Sequence, residues 1–109
     1  MKDKNIFYIK HILEAASDIQ KFLRKYDERL FMKSDLLQSA VIRKFEIIGE
    51  AAKRVSDDFK KESEDIEWRK ISGMRDVLIH DYFGIDLKGV WNTATKDIPV
   101  LIKKLKKFI

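Results

Sequence analysis

The sequence predicts an all-α fold, an antiparallel up-and-down bundle of four main helices with a kink or restart near Pro99. Apolar residues recur at steps of three and four through most of the 109 positions, which is the period of an amphipathic helix. Four glycines and one proline are too few for a turn-rich β fold. A hydrophobic fraction of 45% and this length suit one packed domain, so residues 1–109 are predicted to form a single helical domain.

The first predicted helix runs from about residue 4 to residue 26. Its apolar side chains fall on one face, which we expect to enter the core. They are Ile6, Ile9, Ile12, Leu13, Ala16, Ile19, Leu23 and Tyr26, with Leu30 continuing the period.

The second predicted helix spans about residues 34 to 56. It starts at Ser34, whose hydroxyl can accept a hydrogen bond from an unpaired N–H of the first turn. Its apolar stripe consists of Leu37, Val41, Phe45, Ile48, Ala52 and Val55. Gly49 lies within this stripe, where glycine costs up to about 1 kcal/mol relative to alanine. We interpret Gly49 as a point where a second helix crosses closely.

A polar connector and a third helix follow. Residues 57–67 hold six acidic residues against two lysines and lack a sustained apolar stripe, so we expect a connector with at most one short helical turn. The third helix is predicted from about Trp68 to Asp81. Its expected buried residues are Trp68, Ile71, Met74, Leu78 and Ile79.

The last predicted helix begins after Asp86, a suitable N-cap, and reaches the C-terminus. Its apolar stripe comprises Leu87, Val90, Trp91, Ala94, Ile98, Leu101, Ile102, Leu105 and Phe108. Pro99 has no N–H group to donate to residue 95. A kink or restart capped by Asp97 is therefore expected there.

Composition excludes many kinds of site. The absence of cysteine removes disulfides, thiolate metal sites and a cysteine nucleophile. The two histidines, His11 and His80, belong to different predicted helices without zinc-motif spacing, so no metal is expected. No cofactor loop or serine nucleophile elbow is present. Without a signal peptide or an apolar run near about 20 residues, we expect a cytoplasmic protein with no membrane partner.

One run of residues concentrates chemistry at the end of the third helix. Residues 75–82 contain Arg75, Asp76, His80 and Tyr82. An imidazole can move a proton near pH 7 while a guanidinium holds a phosphate, and RNA supplies its own 2′-hydroxyl nucleophile. On an ideal helix Arg75 and Tyr82 lie within about 20° of each other, but His80 points about 140° away. A loosened helix end or a two-fold dimer would be needed to converge them, and Asp76 shares the face of His80.

The chain resembles the HepT-like toxins, minimal members of the HEPN superfamily. The similarity covers nearly the whole chain and is carried by two stretches. Its signature reads Trp68-x-x-Ile71-x-Gly73-Met74-Arg75-Asp76-x-Leu78-x-His80-x-Tyr82-x-x-Ile85-Asp86-x-x-x-Val90-Trp91, and residues 47–52 are similar to the family's second helix.

This resemblance implies a homodimer that cleaves RNA without a metal or other cofactor. Arg75 and His80 would be catalytic, supported by Asp76. The partner would be a nucleotidyltransferase antitoxin that attaches AMP to Tyr82, placing negative charge and bulk beside Arg75. The alternative is a non-catalytic helical binding module that partners a nucleotidyltransferase.

Other conspicuous side chains have structural interpretations. Glu50 is expected to pair with Arg54 one turn along the second helix. His11 is interpreted as a surface or boundary residue, and Trp68 and Trp91 as core or interface anchors. The lysine tail of residues 103–107, which supplies four positive charges toward the net +5, either contacts RNA or forms the wet face of the last helix.

Overall fold

The two longest helices form the centre of the molecule. The structure is a computed structural model that describes residues 2–74, 76 and 84–109; α1 spans Lys2–Leu23 and α3 spans Asp35–Arg54. The two helices pack against each other because each presents an apolar stripe. The buried residues are Ile9, Ile12, Ala15, Ala16, Ile19 and Leu23 of α1 and Leu37, Val41, Phe45, Ile48, Ala51 and Ala52 of α3.

The first predicted helix extends too far at its C-terminal end. Asp27 is extended, and its side chain accepts a hydrogen bond from Leu30 N at 2.8 Å, starting a separate short helix, α2 (Glu28–Met32). Tyr26 and Leu30 continue the period of α1 but are exposed, and Phe31 is the buried anchor of α2 instead. The hydrogen bond that the Asp27 side chain accepts starts a new helix at this point, although the apolar spacing of α1 continues through it.

The polar connector contains one short helix, α4 (Asp57–Glu62). Ser56 caps it by accepting from Phe59 N at 3.2 Å. The buried Asn5 of α1 fixes the same point: its amide donates to Ser56 Oγ, and its carbonyl oxygen accepts from Ser56 N, both at 3.0 Å. This reciprocal pair joins residues 51 positions apart and holds the end of α3 against the start of α1.

The third predicted helix begins at Trp68, as expected, but is interrupted. Helix α5 (Trp68–Ser72) ends at Gly73, and the backbone is helical again at Met74 and Asp76. Glycine is a weak helix former, so the break in the helix occurs at Gly73. Trp68, Ile71 and Met74 are buried as predicted, whereas Leu78 and Ile79 lie outside the described residues.

The crossing predicted at Gly49 is confirmed. A Cβ atom on Gly49 would lie 3.3 Å from the backbone oxygen of Ser72 and 3.6 Å from that of Ile71. Helix α5 therefore runs against the bare backbone of α3, and any side chain at position 49 would push it away.

The C-terminal segment is helical with a change of register before Pro99. Asp86 caps α6 (Leu87–Asn92) by accepting from Gly89 N at 2.9 Å. A π-helical turn, Thr93–Asp97, then leads into α7 (Ile98–Leu105) and a 3₁₀ turn, Lys106–Phe108. The restart near Pro99 is thus confirmed, because a π-turn accommodates the missing N–H.

The cap predicted for that restart is wrong. Asp97 accepts no capping hydrogen bond and has helical backbone angles. Its carboxylate lies 3.7 Å from Lys70 Nζ on α5 instead.

The all-α class is confirmed: the described part of the chain contains no β-strand. The four-helix antiparallel arrangement remains a prediction. Among the described helices, none combines the length and apolar character needed to span a membrane.

Candidate functional site

Most of the predicted site lies outside the described residues. Arg75, His80 and Tyr82 belong to the parts of the chain that the structure does not describe. Asp76 is described: it is exposed and its backbone is helical. The surroundings of Asp76 therefore define the part of the site that can be built from contacts.

Asp76 lines a cleft of about 550 Å³, which we name the α1–α3 cleft. Helix α1 contributes one wall, α3 the other, and the α5 segment closes it through Ser72. The described lining residues are Phe7, Tyr8, His11, Arg43, Glu46, Ile47, Gly49, Glu50, Ala51, Lys53, Arg54, Ser72 and Asp76. Asp76 thus opens onto a groove between the two central helices.

Gly49 shapes this cleft as well as the helix crossing. It lines the groove, and the carbonyl oxygen of Ser72 lies where its side chain would begin. The absence of a side chain at Gly49 therefore sets how closely the segment carrying Asp76 approaches α3.

Glu50 and Arg54 form the ion pair predicted from the sequence. Arg54 Nη2 lies 3.2 Å from Glu50 Oε1, and both side chains are largely exposed. Hydrogen bonds to Glu50 and, less strongly, to Tyr8 raise the pKa of the Arg54 guanidinium above its ordinary value. As an exposed salt bridge, the pair contributes little to the free energy of unfolding. Its geometry places the Arg54 guanidinium beside Glu50 in the cleft.

His11 is exposed, in agreement with its interpretation as a surface residue. The centroid of its ring lies 4.5 Å from that of the Phe7 ring, and the two ring planes meet at 68°. Phe7 is 55% exposed and in turn meets Tyr8 edge-on at 5.3 Å. Three aromatic rings therefore cluster on the α1 wall of the cleft.

The aromatic and cationic lining of the cleft was missed by sequence reasoning. The sequence pattern does not single out Phe7, Arg43 or Lys53, because individual exposed residues of these types are normal on a helix surface. A signal was nevertheless available: Phe7 stands outside the apolar stripe of α1, so its ring cannot enter the same core as Ile9 and Ile12.

The tryptophans predicted as anchors serve that role. Trp68 is 6% exposed, and its indole N–H donates to the Ser63 hydroxyl at 2.9 Å, which donates to the Phe59 carbonyl oxygen at 2.7 Å. Trp91 is half-buried, with its ring 5.4 Å from that of Phe31.

The lysine tail is partly engaged by the connector. Lys104 Nζ donates to the backbone oxygen of Asp65, and Lys107 Nζ to its carboxylate, both at 2.6 Å. Lys103 and Lys106 are exposed. Two of the four tail charges therefore hold the last helix against Asp65, a contact that neither interpretation of the tail anticipated.

A second, smaller groove lies between α5 and α7. It has a volume of about 110 Å³ and an apolar floor that includes Ile71, Met74 and Leu101. Lys70 and Asp97 form its rim. Within the described ranges, no cluster of three or more His, Asp or Glu side chains has the arrangement of a metal site.

Comparison with known proteins identifies the family. The family model for "Ribonuclease HepT-like" proteins matches residues 12–108. The chain belongs to the HepT-like ribonuclease family. Membership assigns it to the ribonucleases, and so RNA is its class of substrate.

Individual HepT-like relatives agree with this assignment. The "Probable ribonuclease HepT" of Thermococcus cleftensis is 43% identical over 107 residues, covering 98% of this chain and 97% of that protein. "Putative RNase TTE0752" of Caldanaerobacter subterraneus subsp. tengcongensis is 36% identical over 102 residues, covering 94% and 91%.

A two-part relative of the HepT-like chain also matches. "Gamma-glutamylcyclotransferase and putative RNase MJ0434" of Methanocaldococcus jannaschii is 42% identical over 108 residues, but this chain spans only 48% of its length. No solved structure matches the chain.

Proposed function

We propose that this chain is a metal-independent endoribonuclease in which Arg75 and His80 are the catalytic residues. The motif Arg75-x-x-x-x-His80-x-Tyr82 carries the proposal. Support comes from Asp76, the chain neighbour of Arg75, which lines the α1–α3 cleft. The cleft offers room for a strand beside the motif.

The reaction needs only groups that the chain and RNA supply. His80 removes the proton from a 2′-hydroxyl, whose oxygen attacks the adjacent phosphorus. The bond from phosphorus to the 5′-oxygen breaks, leaving a 2′,3′-cyclic phosphate and a 5′-hydroxyl. Arg75 holds the phosphate and stabilises the negative charge that develops on its oxygens. Asp76, four residues before His80, orients the imidazole and stabilises the positive charge that the ring gains when it takes the proton.

A homodimer completes this scheme. The leaving 5′-oxygen needs a proton, and a two-fold arrangement lets His80 of the partner subunit donate it while the first imidazole acts as base. The same arrangement removes the geometric conflict on one helix, where His80 points away from Arg75.

The biological role we propose is that of a cytoplasmic toxin, formed by a single domain of residues 1–109. Its antitoxin is a nucleotidyltransferase that adenylylates Tyr82. The added phosphate competes with the RNA phosphate for Arg75, and the adenosine occupies space that the substrate needs. Modification therefore switches the nuclease off.

Catalysis is tested with purified protein, cellular RNA and EDTA. The wild-type protein should degrade RNA, and His80→Ala should not. Equal decay with both proteins would remove His80 from the mechanism. No decay with either would favour the alternative, a non-catalytic helical module that binds a nucleotidyltransferase.

Regulation is tested by expressing the chain with and without the neighbouring gene. We expect growth arrest without the partner, and normal growth with an added AMP mass on the Tyr82 peptide when the partner is present. Rescue of growth by a partner that leaves the Tyr82 peptide unmodified would contradict the proposed switch.

A further inference from the structure

The α1–α3 cleft presents an aromatic surface that the fold does not use. Phe7 is 55% exposed although a phenylalanine ordinarily gains from burial. The buried stripe of α1 runs through Ile9 and Ile12, so the core does not need its ring. A single exposed phenylalanine would need no explanation, but Phe7 clusters with the rings of Tyr8 and His11 in a cleft, and such a cluster is a candidate for contact with a ligand.

The neighbouring rings hold Phe7 in a defined position. His11 lies one helical turn further on, with its ring centroid 4.5 Å from that of Phe7. The half-buried Tyr8 also contacts Phe7 edge-on, with the ring centroids 5.3 Å apart and an interplanar angle of 76°. A preorganised ring loses little conformational freedom when a planar group stacks on it.

The opposite wall carries cations suited to phosphates. Arg43, Lys53 and Arg54 line the cleft from α3, and Arg43 and Arg54 are about 16 Å apart along the helix axis at 1.5 Å per residue. Arg43 and Lys53 have no ion-pair partner among the described residues. This length accommodates more than one nucleotide of a strand.

The formal charges of the described lining cancel, with three cations against three carboxylates, which limits what electrostatics can contribute. Glu46, Glu50 and Asp76 line the same cleft, and Glu50 is paired with Arg54. Nonspecific attraction of a polyanion is therefore weak here. The exposed ring is the feature that distinguishes this cleft from an ordinary helix surface.

We propose that Phe7, positioned by His11, forms a stacking subsite for an unpaired base of the RNA substrate, with Arg43 and Lys53 contacting separate phosphates along the same strand. The inference rests on the proposed function. Bases in a duplex are already stacked on each other, whereas a single strand can offer its bases to an aromatic side chain. The subsite therefore selects single-stranded RNA and places it beside Asp76, at the start of the motif.

The test measures stacking directly with a single-stranded, 2′-O-methylated RNA that contains 2-aminopurine. The methyl group blocks cleavage, and stacking on the protein quenches the fluorescent base. Wild-type protein and Phe7→Tyr should quench the signal, and Phe7→Ala should not. Tyr26→Ala is the matched control, because Tyr26 is also exposed but does not line the cleft.

Cleavage kinetics provide the second readout. With unmodified single-stranded RNA, Phe7→Ala should raise KM about tenfold, within the range seen when a stacking aromatic is removed, and leave kcat nearly unchanged. Arg43→Gln should raise KM less, and Arg29→Gln, exposed on α2, should have no effect.

The outcomes separate this inference from the proposed function. RNA cleavage by the wild type with equal quenching and KM in Phe7→Ala overturns the subsite alone. Quenching that depends on Phe7 without any cleavage overturns the nuclease proposal alone. If Phe7→Ala changes the oligomeric mass in solution, the cleft is a contact between copies of the chain and the subsite is wrong.

Discussion

Two regions of this molecule combine aromatic rings with cations, and they use them in opposite ways. Around Trp68, the rings of Phe59 and Phe108 pack together, with the centroid of Phe59 6.3 Å from that of Trp68 and 4.9 Å from that of Phe108. The indole N–H of Trp68 donates to Ser63, Lys107 donates to Asp65, and no buried side-chain polar atom of the described residues lacks a partner. In the α1–α3 cleft, Phe7 is exposed.

The contrast shows why composition alone does not identify a binding surface. An aromatic residue that is buried and hydrogen-bonded stabilises the fold, whereas one that is held in place but left exposed is available to a ligand. Substitutions around Trp68 should therefore lower the unfolding free energy, and substitutions in the α1–α3 cleft should lower the rate of RNA cleavage.

Replacing Arg75 by alanine should give the largest loss of activity without loss of stability. Removal of one group that stabilises transition-state charge costs about 10²–10³-fold in rate, so RNA cleavage should fall by that factor. Single-turnover cleavage and thermal unfolding measure the two effects. Arg29→Ala removes an exposed arginine elsewhere and should change neither; a parallel fall in melting temperature would assign Arg75 to the fold.

Replacing Trp68 by alanine should produce the reverse pattern. Truncating a buried tryptophan costs about 3–5 kcal/mol of unfolding free energy, a large share of the roughly 5–15 kcal/mol of a typical domain. Trp68→Phe retains most of the packing but loses the hydrogen bond to Ser63. This loss should lower the unfolding free energy by about 1 kcal/mol. Denaturant unfolding measures both; equal losses in the two variants would show that packing is not what Trp68 supplies.

Gly49→Ala should lower activity more than stability, because position 49 belongs to both regions. Alanine favours the helix by up to about 1 kcal/mol, which opposes the strain of a Cβ 3.3 Å from Ser72 O. The Ser72 carbonyl must yield by a few tenths of an ångström, which moves the segment that carries Asp76, so RNA cleavage should fall several-fold because catalysis depends on exact positioning. Gly89→Ala, a helical glycine outside the cleft, is the control. Unchanged cleavage by Gly49→Ala would separate the helix crossing from the site.

Asp65→Asn should have the smallest effect, visible as a change in pH dependence. The hydrogen bond from Lys107 is the main cause that lowers the pKa of Asp65 in the folded state. Its contribution is therefore present above the unfolded-state pKa and is lost as pH falls through the folded-state value. Melting temperature against pH should fall less steeply in acid for Asp65→Asn. Parallel melting-temperature curves for the wild type and Asp65→Asn would contradict this prediction. Salt at about 1 M screens the charges and should reduce the difference between the two curves.

Sequence patterns predicted the regular part of the fold because local rules decide it. The caps at Ser34 and Asp86 and the crossing at Gly49 follow from hydrogen bonding and from the absence of a side chain. The kink or restart near Pro99 followed from its missing N–H, but the pattern shows only that a hydrogen bond is lost and not that a π-turn accommodates the loss. Asp97 was assigned the wrong role because its carboxylate has a tertiary partner, Lys70.

The candidate site was predicted from a motif, but its surroundings were not. Residue spacing singled out Arg75, Asp76, His80 and Tyr82, and Asp76 does line a cleft. The facing residues come from α1 and α3, more than 20 positions earlier in the sequence. No local pattern indicates that Phe7 and Arg43 line the same cleft as Asp76, because packing of the helices brings them together.

Analysis of the cleavage products is the most direct test of metal-independent RNA cleavage by transesterification through the 2′-hydroxyl. Wild-type protein is incubated in EDTA with an RNA that has one 2′-deoxy linkage, and the new ends are identified by mass spectrometry. We predict 2′,3′-cyclic phosphate and 5′-hydroxyl ends, with no cleavage at the deoxy linkage. Products with 5′-phosphate ends, or cleavage at the deoxy linkage, would contradict the mechanism.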